Sequence, residues 1–244
     1  MYLIYLMKNA NKNIVITGAT KGIGRAVAEL FAAHQFNLAL CARNVADLQS
    51  FAKVLHLKYP QIEIFYEKCD VSVKNEVIQF GEFVCQKFPH TDVLVNNAGV
   101  FIPGNIHEEA DGVLEHIMDT NLYGAYHLSR ALIPGMIKNK SGHIFNICSV
   151  ASINPYDQGG SYAISKFALL GFSKNLRHEL KDKYIKVTAI LPGATLTPSW
   201  EGTQLPDKRF IPAIDVANTI FAAYNTAPST VIEEIIIRPQ LGDI

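Results

Sequence analysis

Thr17-Gly18-Ala19-Thr20-Lys21-Gly22-Ile23-Gly24 follows the apolar run Asn13–Thr17 directly and opens the segment Gly22–His34. In that segment Ala26, Val27, Leu30 and Phe31 share one helical face. A strand, a glycine turn and a helix in this order form a cradle for a phosphate group. Glycines let the backbone turn sharply and approach a pyrophosphate, which then lies against the free N–H groups of the helix N-terminus. From composition alone a Thr-Gly-x-x-x-Gly-x-Gly match arises by chance on the order of 0.003 times in such a chain. The octapeptide therefore predicts a dinucleotide site and, with it, the fold.

Outward from this turn the chain alternates short apolar runs with longer helical periods. Strands are predicted at Asn13–Thr17, Asn37–Cys41, Ile62–Glu67, Asp92–Asn96, His143–Cys148, Ile185–Leu191 and Val231–Ile237. Helices are predicted at Gly22–His34, Val45–Leu57, Lys74–Lys87, Asp111–Lys138 in one or two pieces, Ser161–Lys183 and Val216–Asn225. Leu38–Cys41, Val93–Val95, Ile144–Cys148 and Ile235–Ile237 are apolar throughout, as in parallel strands covered on both faces. The pattern predicts an α/β fold: one Rossmann domain over residues 13–244, a doubly wound seven-stranded parallel sheet with helices on both faces. Residues 1–12 read as an N-terminal extension, whose apolar start is too short to span a bilayer or form a signal segment.

The 244 residues are 49% apolar and 18% charged, with a formal net charge of zero. That balance gives no reason to expect nucleic acid as a partner. Cys41, Cys69, Cys85 and Cys148 form no CxxC pair, and the histidines lack metal-ligand spacing, so no metal site is expected. Three of these cysteines fall in or beside strand-like runs and read as buried thiols in a reducing cytoplasm. A soluble cytoplasmic enzyme or binding module without a membrane span is the expectation.

The second strand ends Cys41-Ala42-Arg43. An NAD site usually carries Asp or Glu near this position to bind the ribose 2′-hydroxyl. Here Ala42 takes that place, Arg43 follows, and Lys21 stands in the glycine turn, so a 2′-phosphate is favoured and the expected cofactor is NADP(H).

Tyr162-Ala163-Ile164-Ser165-Lys166 puts a phenol and an ammonium on one helical face. The ammonium favours the phenolate of a group that otherwise exchanges its proton only near pH 10. Alone the spacing says little: ten tyrosines in this chain give roughly 0.7 chance matches. Its weight comes from Ser149, directly after the strand His143–Cys148, where a parallel sheet presents ligand-binding residues. A hydroxyl there can stabilise developing alkoxide charge, although Ser149, like Ser152, also fits a helix cap.

With these residues, Asp70-Val71, Asn96-Asn97-Ala98-Gly99, Asn121 and Pro192-Gly193, the chain resembles the short-chain dehydrogenase/reductase family from Ile14 to Ile237. The resemblance implies that Asp70 and Val71 hold the adenine, and that Asn96 to Gly99 line the cofactor groove and tie strands together. It implies that Asn121 kinks its helix and anchors a water linking Lys166 to solvent. Pro192 to Thr197, with Thr195 between them, would pass beside the nicotinamide, Thr197 holding its carboxamide or a phosphate. The implied reaction is carbonyl reduction: Ser149 polarises the carbonyl, Tyr162 protonates it, NADPH gives hydride, and Lys166 supports both tyrosine and ribose. Cys148 departs from the family's frequent serine without disturbing this chemistry. A non-catalytic NADP(H)-binding sensor is the alternative of another class, but it would be expected to lack part of the set that is complete here.

Phe101, Ile153, Tyr156, Trp200 and Phe210 are expected to border the substrate, a small carbonyl compound. Pro192–Trp200 and Ile232–Asp243 resemble the bacterial sepiapterin reductases. That suggests a pterin side-chain ketone stacked on Trp200, with Asp157 or Asp243 as a carboxylate partner. A 3-oxoacyl-carrier-protein reductase or a broad carbonyl reductase is the competing expectation. The family further implies a homodimer or homotetramer through Asp111–Lys138 and Ser161–Lys183, which carry Tyr123, Tyr126, Phe167, Leu169 or Phe172, residues that fit an interface and equally fit the core.

Overall fold

In a computed structural model, which describes residues 11–244, the sequence forms one seven-stranded sheet, all strands parallel. The strands are β1 Asn13–Thr17, β2 Asn37–Ala42, β3 Ile64–Lys68, β4 Val93–Asn96, β5 Gly142–Ile147, β6 Ile185–Pro192 and β7 Glu234–Ile237. Their spatial order is β3-β2-β1-β4-β5-β6-β7. β1 pairs with β2 on one side and β4 on the other, so chain order reverses there and opens a crevice beyond the carboxyl ends. The expected residues 1–10 of the N-terminal extension lie outside the described residues.

Among the described residues seven α-helices cover both faces: α1 Gly22–Ala33, α2 Val45–Lys58, α3 Lys74–Lys87, α4 Val113–Met118, α5 Gly124–Asn139, α6 Gly160–Leu180 and α7 Ala213–Tyr224. Strand alternation assigns side chains to two cores. Ile14, Ile16, Leu38, Leu40, Val93 and Val95 meet Val27 and Phe31 of α1, Leu48 of α2 and Val216 and Ile220 of α7. Val15, Ala39, Leu94, Ile144 and Val187 point the other way, onto Phe80 of α3, Leu132 of α5 and Leu176 of α6. Phe31 is fully buried, and truncating such a ring to alanine costs about 3–5 kcal/mol.

The helical stretch expected over Asp111–Lys138, with a kink at Asn121 implied by the family resemblance, is built in pieces. Asp119–Tyr123 forms a π-helical turn between α4 and α5, and Gly112 enters α4 at φ +88°. One extra residue in the turn lets Asn121 leave the regular register, as π-bulges at functional sites commonly do. Other boundaries shift by up to three residues, as at the starts of the last helix and the last strand. β7 keeps only Glu234–Ile237 of the expected Val231–Ile237. Tyr123, Tyr126 and Phe167 are exposed, whereas Leu169 packs into the core against Cys148 and Phe172 is partly buried on the same cluster. Cys41, Cys69 and Cys148 are buried free thiols and Cys85 is exposed. No helix among the described residues is long and apolar enough to cross a membrane.

His143 of β5 is buried, stacked on Phe145 at 3.9 Å between centroids. Its Nε2 lies 2.7 Å from Thr188 Oγ1. Because Thr188 gives its proton to Ile232 O, the imidazole must be the donor, which fixes a neutral tautomer. Burial, with Lys186 nearby, pushes the imidazole down from 6.5 to about 3. The unfolded chain therefore takes up a proton below pH 6.5 that the folded chain refuses. Stability present above that pH falls by about 2 kcal/mol by pH 5 from this residue. Urea unfolding of the wild type and His143→Gln at pH 7 and pH 5 checks this, and an equal loss in both proteins excludes His143 as the source.

Candidate active site

The site is built on a latch at the β1–β4 crevice. Thr17 Oγ1 accepts hydrogen bonds from Asn97 N and Ala98 N, both at 3.0 Å. Asn97 Nδ2 donates in return to Thr17 O at 2.9 Å and Gly18 O at 3.1 Å. A side chain on Gly24 would collide with Gly18 O and with Asn97 Nδ2. Gly22 has φ +54°, and a Cβ there would lie 2.9 Å from Thr197 Cγ2. The glycine turn is thus held between the end of β4 and the segment after β6. Asn96 contributes differently from the expectation. It is buried, donating to Asn146 Oδ1 (2.8 Å) and Ser129 Oγ (3.0 Å), so it ties strands without facing the groove.

The groove fits a pyrophosphate on the structure's own terms. α1 starts at Gly22 with no side-chain cap and no acid in its first turn, so its N–H groups remain for a ligand. Thr20 and Ile23 are half-buried in the turn, and Lys21 is exposed. Lys21 pairs with Asp47 of α2 at 3.8 Å, a partner the sequence did not signal. Exposed Arg43 lies close enough to Asp70 to act on its charge. Burial alone would raise the Asp70 carboxyl. Hydrogen bonds from Ser72 Oγ and N, with Arg43 and His116, outweigh that and hold it below its usual value. Val71 is buried against Gly124 at the start of α5.

Pro192 ends β6 and is buried; past it Gly193 is partly exposed, and Thr195 is buried with its hydroxyl on Gly193 O at 3.0 Å. Thr195 therefore shapes this segment from within, while Thr197 meets the glycine turn.

The catalytic candidates converge at the end of β5. Ser149 is extended (φ −164°, ψ 161°) and caps the short 3₁₀ turn Val150–Ser152. Its Oγ accepts from Ala151 N, and Ser152 Oγ accepts from Ser149 N, each at 3.1 Å. Both roles weighed from sequence are compatible: the oxygen caps, and the hydroxyl proton has no acceptor among the described residues. Lys166 is buried and donates from Nζ to Ile147 O at 2.8 Å. The same Nζ sits 5.7 Å from the Tyr162 ring centroid. Gly99 comes so close that a Cβ on it would lie 3.6 Å from Lys166 Nζ and 3.2 Å from Asn121 Oδ1.

Asn121, in the π turn, accepts from Val100 N (2.8 Å) and donates to Val100 O (3.0 Å) and Ser165 Oγ (2.9 Å). Ser165 passes its proton to Tyr162 O at 2.7 Å. The amide thus binds the segment after β4 to the helix that carries tyrosine and lysine.

The expected substrate residues do not form one wall. Phe101 packs edge-on to Tyr162, centroids 4.9 Å apart. Half-buried Ile153 packs on the cluster around Cys148. Tyr156 is exposed, and burial of its hydroxyl with the neighbouring Tyr162 raises it to about 12. It lines a cavity of about 550 Å³ with Ile106, Asp157, Ile164 and Phe167. Trp200 lies on Phe210 at 5.1 Å, and Phe210 is core, 5% exposed, which removes it from the pocket wall. Asp243 pairs with Arg238 and stands over Gly193, where a Cβ would lie 3.1 Å from its Oδ1. Arg209 reaches Asp243 O at 3.5 Å, so the fold brings together two arginines that show no cluster in sequence.

Residues 12–207 match the short chain dehydrogenase family model. A sepiapterin reductase of Chlorobaculum tepidum is 33% identical over 240 residues, covering 95% of this chain and 97% of that protein. The fold is similar to an L-sorbose reductase from Gluconobacter frateurii, solved with NADPH and L-sorbose. The TM-score is 0.87 at 30% identity, over 94% of this chain and 95% of that one. It is also similar to an alcohol dehydrogenase from Thermococcus sibiricus complexed with 5-hydroxy-NADP, with a TM-score of 0.88 at 26% identity, over 94% and 97%. The chain belongs to the short-chain dehydrogenase family of nicotinamide-dependent oxidoreductases.

Proposed function

We propose that this protein is an NADPH-dependent carbonyl reductase acting on a small ketone, with a pterin side-chain ketone as the leading substrate. The observation that carries the chemistry is the grouping of Ser149, Tyr162 and Lys166 at the end of β5, braced by Asn121. When bound, NADPH supplies the hydride that reduces the carbonyl carbon. Ser149 donates its hydroxyl proton to the carbonyl oxygen as a hydrogen bond and stabilises the charge that grows there. Tyr162 gives the proton that completes the alcohol. Lys166, beside the ring, stabilises the phenolate left behind. Asn121 keeps this helix in register with Val100 and, in a water relay, would return a proton through Lys166.

Lys21, Arg43 and Ala42 support NADPH over NADH, and the uncapped start of α1 supports the pyrophosphate that both carry. The pterin assignment is supported by similarity to the Chlorobaculum tepidum enzyme over nearly both chains, and by Asp243 standing at Gly193. A cytoplasmic homodimer or homotetramer agrees with the three buried free thiols and with exposed Tyr123, Tyr126 and Phe167.

Following NADPH absorbance with sepiapterin, simple ketones, diketones and an acetoacetyl thioester tests the substrate. Preferred turnover of the thioester replaces the pterin reading with an acyl-carrier one, and equal turnover of all carbonyls gives a broad reductase. Tyr162→Phe is expected to lower kcat by about a hundredfold to ten-thousandfold, with NADPH affinity unchanged by fluorescence titration. Near-normal turnover removes Tyr162 from the mechanism. Arg43→Asp should raise the Kd for NADPH about tenfold or more while leaving NADH in place, and an unchanged ratio sinks the phosphate assignment.

A further inference from the structure

The first turn of α6, which carries Tyr162, is held by a side chain from another part of the chain. Glu109 Oε1 accepts from Ser161 N at 2.9 Å, and Ser161 Oγ donates to Glu109 Oε2. No residue at the start of α6 supplies a side-chain cap, so Glu109 satisfies an N–H that has no partner inside the helix. A carboxylate is favoured there by the helix dipole and by charge-assisted hydrogen bonding.

The backbone around this carboxyl group is shaped to admit it. Gly160, at φ +28°, has no room for a Cβ because Glu109 Oε1 and Gly104 O occupy the space. A Cβ on Gly104 would lie 2.9 Å from Glu109 Cγ. Gly104 N donates to Gln158 O at 3.0 Å, so the two loops already touch where the carboxylate enters.

Between Val100, fixed by Asn121, and Glu109, fixed at Ser161, runs a segment without regular secondary structure. Phe101 in this segment packs against the Tyr162 ring. One carboxylate thus holds both the backbone beneath the phenol and the loop that carries its ring partner.

We propose that Glu109 is a positioning residue for Tyr162, fixing the catalytic helix start and the Phe101 loop as one unit. This rests on the reading of Tyr162 as the proton donor. A misplacement of about 1 Å from a change outside the chemistry costs about a hundredfold in rate, and the Glu109 carboxylate is engaged at Ser161.

The test is steady-state and single-turnover kinetics with NADPH and the best ketone of the panel above, on Glu109→Ala, Glu109→Gln and Ser161→Ala. Glu109→Ala is expected to lower kcat about tenfold to a hundredfold, with the NADPH Kd within about twofold. Glu109→Gln keeps an acceptor for Ser161 N and should recover most of the loss. Ser161→Ala removes only the hydroxyl leg and should lose a few-fold in kcat at unchanged cofactor affinity. Wild-type kcat in Glu109→Ala, or a loss of NADPH binding in step with kcat, overturns the proposal. If Glu109→Ala does not fold, an unchanged kcat in Ser161→Ala overturns it instead. Tyr162→Phe run alongside separates the two readings: full turnover there removes the tyrosine mechanism, whereas a dead Tyr162→Phe beside an unaffected Glu109→Ala removes only the role of Glu109.

Discussion

Two backbone N–H groups on one threonine oxygen set the geometry of this molecule. Asn97 N and Ala98 N both donate to Thr17 Oγ1, which locks the carboxyl end of β4 to that of β1 where the sheet reverses its winding. Each bond contributes only about 1 kcal/mol. Its consequence is positional, because the glycine turn leaves from Thr17 and the strand leading to Val100 and Asn121 leaves from Asn97. Slackening this latch would move the cofactor groove and the catalytic brace relative to each other. A glycine is needed at position 24 for the same reason: Asn97 Nδ2 already occupies the space a side chain would take.

A second set of contacts carries that geometry to the reacting end. Lys166 is buried, and a buried ammonium is costly unless its donors are met. Ile147 O takes one of three, and the Tyr162 ring lies against the charge. The lysine is therefore anchored to the end of β5, two residues before Ser149. Asn121 and Ser165 close the circuit from the other side, through Val100 and Tyr162 O. The catalytic candidates sit on rigid elements that brace each other.

Local signals were readable in the sequence and distant ones were not. The glycine turn, the seven strands and the lysine four residues after the tyrosine follow from spacing within a few positions. The kink at Asn121 was implied by the family resemblance, but its form as a π turn over Asp119–Tyr123 was not readable, because one inserted residue barely disturbs a hydrophobic period. α6 is apolar on more than one side, so Leu169 and Phe167 looked alike, yet one is core and the other exposed. Phe210 and Trp200 were indistinguishable as pocket candidates until burial placed Phe210 in the core, its ring tilted against that of half-buried Trp200. Glu109 lies 52 positions from Ser161, in a loop whose acids read as ordinary surface charge. A pairing of that kind exists only once the fold has formed.

The arrangement divides chemistry from selectivity. Ser149, Tyr162 and Lys166 are held by β5, α6 and the π turn, none of which belongs to the segment after β6. Trp200, Arg209, Arg238 and Asp243 come instead from the 3₁₀ turns after β6 and the stretch beyond β7. These two stretches meet at Gly193, where Asp243 and Pro239 crowd the backbone. Under the proposed function, changes there would bear on substrate choice while leaving the contacts that hold Tyr162 and Lys166 in place. The same separation explains why the catalytic candidates all lie before residue 170, while the resemblance that suggests a pterin lies in Pro192–Trp200 and Ile232–Asp243.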